Sequence, residues 1–484
     1  MRFSTDGFAG CLVSHSCFKA LLAGSRLPKT ISFSLLATLL FTAPSRGTGP
    51  DVIVSTIGSG FQKYGTVGDI TGYAVTTVSC NIGTTSAIWL DTNNQHPVIG
   101  QNMYRYKVVD GAGRFEQIGM SWLKHGFCAA DASGPNCGSC SPDGNCDWLT
   151  VGCTDTYGSG LNGNQSDLGP KSDVNAYTGV FSYPFPTEGQ TGNAIYKRLQ
   201  IHNADLDPAQ NPGASYYCDV HYIPTDENHN ERFNNTSWRP TTVGTFSGGG
   251  WNLAFGGTTH QQESAIEAWP TVESGVTLVD GFVPSEGRFI LGYKVTEIVP
   301  DTTWHYEYAL YNMNSDRSAG FFYVPFAVGT NLSNIGFHDV DYHSGEPYSS
   351  ADWTPVLGGG NLTWATDSYT TNVNANALRW GTTYNFRFDA DRPPFAGLVK
   401  VGLFKPGTPT SLNFSALVPN SCTCPGDVNN DGTVSGRDIA ALVDILLGNV
   451  SASPCADLAA SYNAIDLADS DAFVDMLMGE FGCP

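Results

Sequence analysis

The chain has 484 residues and a formal charge of −21, with 24 Lys+Arg against 45 Asp+Glu. That balance offers no basic patch for nucleic acid or an anionic membrane surface, so neither is an expected partner. With 55 glycines, 12% aromatic and only 14% charged residues, the composition suits many short strands joined by tight turns rather than long helices.

Residues 1–49 read as an export leader. Arg2, Lys19, Arg26 and Lys29 make it basic, and Ile31 to Ala43 is an apolar run of 13 residues followed by the small residues Ser45 and Gly47. Such a run is too short for a bilayer span and suits a signal peptide. No later segment approaches the roughly 18 apolar residues a span needs, so a secreted chain with no membrane span in its mature part is expected. Eleven of the 13 cysteines follow the leader, and in an exported protein disulfides are their default state. Five of them, Cys128, Cys137, Cys140, Cys146 and Cys153, crowd into one polar loop. The Cys137-Gly-Ser-Cys140 pair has no second pair to complete a zinc set, so oxidised, metal-free cysteines are expected. Seven cysteines in the body is an odd number; one is therefore free or bridges to the tail.

From Asp51 onward, apolar runs alternate with turn residues, as strands do. Residues 50–245 read as a β-rich, cysteine-containing part, with the Gly-rich run from Ser247 to Gly250 just beyond its end. Residues 246–410 read as a β-sandwich-like part with cleaner period-2 patterning. In it Trp304, Tyr306, Tyr308 and Leu310 share one face of a strand, while His305, Glu307 and Ala309 share the other. Residues 411–424 read as a linker. The match of Gly158, Gly160 and Gly163 to a dinucleotide fingerprint lacks the strand-to-helix context that gives it meaning.

No GxSxG, HExxH or phosphate-binding loop occurs. The most distinctive polar group in the body is His338-Asp339-Val340-Asp341-Tyr342-His343. On a strand Asp339, Asp341 and His343 point to one face, where two carboxylates and an imidazole can bind a metal or exchange protons. The plainer reading is a solvated strand end. Asp219 and His221 form a second such group, with Asp205, Asp207, Asp226 and Glu227 near them in sequence.

The C-terminal region, 425–484, changes period. Asp427, Asn429, Asp431, Ser435 and Asp438 occupy positions 1, 3, 5, 9 and 12 of an EF-hand-type loop, Gly432 sits at the sharp turn, and Thr433 offers its carbonyl. Ca2+ is the expected cofactor, since oxygens on alternate residues of a tight loop converge on one point. Ile439, Leu442, Val443, Leu446 and Leu447 then mark one face of a helix ended by Gly448. A second copy follows, with Asp466 and Asp469 before Phe473, Val474, Leu477 and Met478. It has Ala460 and Tyr462 where the first loop has Asn429 and Asp431, so it is expected to be structural.

This duplicated loop and helix resembles the type I dockerin domain, in which the last loop ligand is Asp, as Asp438 is here. The runs SDRSAGFFYVP, NIGFHDVDYHSGEP and NANALRWGTTYNFRFDAD resemble a recurrent type of secreted bacterial β-rich protein with dockerin-like tails. The resemblance implies a mainly β body, of one or two sandwich-like domains, followed by a small α-helical calcium-binding domain. Dockerins that bind cohesins carry small hydroxyl residues at loop positions 10 and 11; here these are Gly436 and Arg437, then Leu467 and Ala468, which argues against a cohesin partner. The expected function is a secreted modular protein that binds or assembles extracellular polysaccharide or protein. The alternative is an extracellular polysaccharide-degrading glycoside hydrolase, because dockerins commonly accompany such enzymes, and Asp339 and Asp341 are then the candidate catalytic carboxylates.

Overall fold

Alternating apolar and polar residues fold here, among the described residues, into three large sheets and two two-stranded ones. The computed structural model describes residues 48–422, 424–459 and 465–478. The apolar leader run, Cys483, Ala460 and Tyr462 lie outside them. The architecture is mainly β, and among the described residues no helix is long and apolar enough to cross a membrane.

The first sheet is built on β1 (Val52–Val67), β2 (Ile70–Asn81), β3 (Val98–Val109), β4 (Ala112–Met120), β5 (Leu199–His202), β6 (Ser215–Ile223), β7 (Thr236–Ser247) and β8 (Gly250–Phe255). Their spatial order is β1-β2-β5-β4-β3-β6-β7-β8, all antiparallel. The glycine run at 247–250 is the turn of the β7–β8 hairpin, so the first sheet extends to Phe255. The sheet curls until β1 meets β7 and β8. Tyr73 Oη donates to the Trp251 carbonyl (2.6 Å), and Ser237 Oγ to that of Val54 (2.7 Å). Val54, Tyr73, Val75, Ile99, Val220 and Tyr222 fill the curl.

Disulfides Cys80–Cys137, Cys128–Cys146 and Cys140–Cys153 staple the loop that carries the five crowded cysteines. The free alternative for the odd cysteine holds: Cys218, buried in the first core, is the one free cysteine among the described residues.

Residues 277–419 form a β-sandwich. Its central sheet has the order β9 (Thr277–Phe282), β10 (Arg288–Val299), β11 (Thr303–Asn312), β16 (Thr382–Ala390), β13 (Leu332–His338). Its outer sheet has the order β14 (Thr354–Gly358), β15 (Asn361–Ala365), β12 (Ala319–Pro325), β17 (Pro394–Leu403), β18 (Ser411–Pro419). Trp304, Tyr306, Tyr308 and Leu310 do share the inward face, where they meet Phe322, Trp364, Phe386 and Phe388. Each large side chain buried this way contributes roughly 1.5–3 kcal/mol. The linker expected over 411–424 is a correction: Ser411–Pro419 is a strand paired along its whole length with β17. Phe414, Ala416 and Val418 point into the core; the intervening Ser and Asn residues are its solvent face, and they mask the period in the sequence.

The central sheet is covered on its second face as well, by β4 and its neighbours. One end of this seam is apolar, with Ile290, Ala309 and Tyr311 against Tyr104, Phe115 and Trp269. The other end is charged. Arg114 Nε lies 3.2 Å from Glu307 Oε2, and His305 bridges Glu307 (3.1 Å) and Asp389 (2.6 Å). Arg105 pairs with Glu116 and Asp205, each at 2.8 Å. Gly336 lies opposite Arg387, and a Cβ there would fall 2.6 Å from the guanidinium, which would have to shift. Burial opposes the charge on His305, but its hydrogen bonds and charge pairing with Glu307 and Asp389 win and raise its pKa.

Glu307→Ala leaves His305 with Asp389 alone and Arg114 with only its longer contact to Glu116 (3.8 Å), and a loss of about 3 kcal/mol is expected by urea denaturation. A loss no larger than that of Val356→Ala on the exposed edge, about 0.5 kcal/mol or less, contradicts the assignment. Because the His305 pKa is raised, its contribution is complete below the ordinary histidine value and is lost as pH rises through the raised one.

Candidate functional site

At the charged end the seam opens into a polar cleft of about 640 Å3, walled by Gln117, Gln200 and Asp205 on one side and by residues 337–343 and Asp352 on the other. β13 ends at His338, yet the chain stays alternating beyond it. Val340 and Tyr342 turn inward and are buried, while Asp341 is exposed and Asp339 and His343 are partly exposed. The strand expected to carry Asp339, Asp341 and His343 on one face stops at His338, and the cleft is lined by Val340 and Tyr342 as well as by those three.

The histidines are struts. A carbonyl can only accept, so Nε2 of His338 donates to Gln117 O and Nε2 of His343 to Met120 O, both at 2.9 Å. His343 Nδ1 then accepts from the Ser344 hydroxyl at 2.9 Å. Burial pushes the His343 pKa down to about 4, which keeps the ring neutral. Both imidazoles are spent on holding 338–343 against β4.

The carboxylates differ from one another. Burial, with Asp352 and Asp341 close by, pushes Asp339 up to about 6, although a hydrogen bond from Asn376 Nδ2 (2.5 Å) favours its charged form. Asp205 is held by Arg105 on the opposite wall. Burial acts to raise Glu116 behind it, but the charges of His338 and Arg105 hold that carboxyl down at about 2. A protonatable carboxyl beside others in an accessible cleft is the asymmetry that acid–base chemistry uses. Asp352 and Asp205 were not singled out with Asp339 from sequence. They reach the cleft through a turn and through the seam, and neither carries a local signal.

The second polar group disperses. Asp219 and His221 face the seam, fully buried, whereas Asp226 accepts from Ile88 N and Glu227 from Val52 N and Asn235. In the cysteine-rich loop, Asp131 lies near Cys140 and Cys153. Those two sulfurs are bonded to each other, and Asp131 accepts from Thr150 and Asp143 N, so no thiolate is left for a metal.

In the tail, α1 (Asp438–Leu446) and α2 (Leu467–Met478) pack Leu442 and Phe473 together with Val428 and Ala456. Disulfide Cys422–Cys455 ties the region, and Cys424 is disulfide-bonded as well. The loop 427–438 is closed by its own side chains. Asp427 accepts from Asp431 N (3.0 Å) and Gly432 N (2.9 Å), and Asp438 from Asn429 N and Ser435 N, both at 2.9 Å. Gly432 has φ +87°, the conformation glycine supplies without strain. Asn429, Asp431, Thr433 and Ser435 sit on the open side, and Asp438 is 0% exposed. Asp469 repeats the role of Asp438: it too is fully buried and accepts from the N–H three residues back (Asp466, 2.8 Å) and from Leu458 and Ala459.

No protein-family model matches the chain, and no curated protein matches it. Among solved structures it is similar to a serine-rich repeat adhesion glycoprotein from Streptococcus agalactiae, at 6% identity and a TM-score of 0.19, over 72% of this chain and 89% of that one. A likeness this slight carries no argument.

The Asp339 carboxyl is expected to titrate with a midpoint near 6 in a carboxyl-resolved NMR titration. Between the ordinary value and that midpoint the unfolded chain binds fewer protons than the folded one, so stability falls as pH rises through this range. Asp339→Asn should remove that fall, on the order of 1 kcal/mol after allowance for partial exposure. An ordinary midpoint near 4, or an unchanged pH profile in the variant, contradicts it.

Proposed function

We propose that this chain is an exported modular binding protein whose dockerin-like tail holds one calcium ion. The observation that carries the tail reading is the state of Asp427 and Asp438. Both are buried, both are hydrogen-bonded to backbone N–H groups, and among the described residues no basic side chain pairs with either. Buried carboxylates without a countercharge are costly, and a cation on the open side of the loop relieves that cost. Asp427, Asn429, Asp431, the Thr433 carbonyl, Ser435 and Asp438 are the proposed ligands. Hard oxygen donors of this kind suit Ca2+, with affinities in extracellular modules as weak as about 10⁻⁴–10⁻³ M. The repeated geometry at Asp469 supports a duplicated loop and helix, in which the second loop is structural. The disulfides support export.

In the body the acidic cleft is read as the binding surface for an extracellular polysaccharide or protein. Two of its three histidines, His338 and His343, are occupied in holding the seam, and the third, His202, lies 3.4 Å from Asp69, which favours binding over proton transfer. One observation favours the hydrolase reading, the raised pKa of Asp339 beside Asp341 and Asp352. Under that reading Asp339 is the acid and Asp341 the second carboxylate. Gly436 and Arg437 argue against a cohesin as the partner of the tail.

Calorimetric titration of the full chain with calcium should give one site, lost in Asp431→Ala and kept in Asp469→Asn. Two equivalent sites, or none, would overturn the tail reading. A polysaccharide panel scored for both retention and released reducing sugar separates the body readings. Binding without release is expected, and release abolished by Asp339→Ala would establish the hydrolase instead.

A further inference from the structure

Three side chains used by neither the cleft nor the tail meet in the dry part of the seam. Asn102 on β3 and Asp219 on β6 are direct cross-strand partners. Asn102 Nδ2 lies 2.9 Å from Asp219 Oδ1. Lys171, at the start of the short 3-10 turn Lys171–Asp173, brings its Nζ to 3.4 Å from Asn102 Oδ1 and 3.1 Å from the Gly381 carbonyl. Lys171 is 2% exposed, Asn102 1% and Asp219 0%. The Trp380 ring lies beside Nζ, its centroid 5.3 Å away.

A second buried lysine serves as a control within the same molecule. Lys197 gives its three donors to the carbonyls of Gln165, Thr187 and Gln190, at 2.8–3.0 Å. That is how a structural lysine is satisfied. Lys171 has one backbone carbonyl and one long contact to an amide, and among the described residues no carboxylate lies within ion-pairing distance of it. Asp219 is equally unlike a structural ion. Its Oδ2 is buried and makes no well-formed hydrogen bond, although Tyr104 and Ala265 N lie near the carboxyl. Both groups are better served by being neutral, as an amine and a carboxylic acid on either side of an amide.

We propose that Lys171 and Asn102 become joined by an intramolecular isopeptide bond, formed by the folded chain itself with Asp219 as the acid–base group. The two ends of the Asn102 amide exchange by a half-turn of the side chain, which presents the amide oxygen to the Asp219 carboxyl. The lone pair of neutral Lys171 Nζ attacks Asn102 Cγ, and the carbonyl electron pair moves onto the oxygen, where the Asp219 O–H supports it. Asp219 then carries a proton from the attacking nitrogen to Nδ2. The Cγ–Nδ2 bond breaks, ammonia leaves and the carbonyl re-forms. Primary amine plus primary amide give secondary amide plus ammonia, so no oxidant, metal or cofactor is needed. Burial, by holding the lysine down at about 8 and the aspartate up at about 6, favours the two neutral forms the attack requires. Fixed in the fold, the reacting groups meet at a high effective concentration. The bond would fasten the start of the 171–173 turn to β3, 69 positions away in sequence.

Peptide mapping by mass spectrometry of the purified, reduced and alkylated full chain tests this. The expected result is one linked species made of the Asn102 and Lys171 peptides, lighter than their sum by one ammonia. Separate, unmodified peptides from natively folded wild type would overturn the proposal, whatever the variants do. Lys171→Met keeps the apolar stem but has no amine to form the amide, and should give separate peptides. Asp219→Asn and Asp219→Ala, checked for folding by circular dichroism and disulfide mapping, should leave the peptides unlinked. A folded Asp219 variant linked to the wild-type level would overturn the role given to Asp219.

Discussion

The seam between β4 and the second face of the central sheet is the interaction on which the rest of the structure depends. A sheet with one face on a sandwich core can leave its other face to water. Here that face is covered, and it carries His305, Glu307, Arg387 and Asp389. Charges in such a place are tolerated only when paired and hydrogen-bonded. For His305, Glu307 and Asp389 the chain meets the condition with Arg114, reaching from β4, and with His305 held between two carboxylates. The same struts, His338 and His343, fix the walls of the cleft. The site is therefore a product of how the two halves are joined.

Buried charge is handled in three ways in this molecule. In the seam, side chains of opposite sign neutralise one another. Around Lys171 and Asp219 the groups are pushed toward their neutral forms, and there a bond between the lysine and its amide neighbour is proposed. In the tail, Asp427 and Asp438 meet backbone N–H groups alone on the protein side, and a cation is proposed to supply the missing charge. The three cases follow from the same cost of desolvating an ion, and they differ in whether protein, covalent chemistry or metal offsets it.

Much of this was legible in the sequence wherever the signal is local. The face formed by Trp304, Tyr306, Tyr308 and Leu310 follows from period 2 alone. The loop from Asp427 to Asp438 follows from its alternating Asp and Asn residues before Gly432, and the helix after it from Ile439 and Leu442. Strand β18 was hidden because its solvent-facing Asn413 and Ser415 look like linker. Asp205, Asp352 and Lys171 could not be placed, because their neighbours are brought to them by topology. His343 could not be placed from sequence either, since its partner is the carbonyl of Met120, far back in the chain.

The most direct measurement is a crystal structure of the full chain grown with calcium, with the ion identified by its anomalous signal. One ion is expected, coordinated by Asp427, Asn429, Asp431, Thr433 O, Ser435 (directly or through water) and Asp438 at about 2.3–2.6 Å, and none in the second loop. A calcium-free first loop under those conditions, with its buried carboxylates matched by a basic side chain instead, would contradict the reading of the tail.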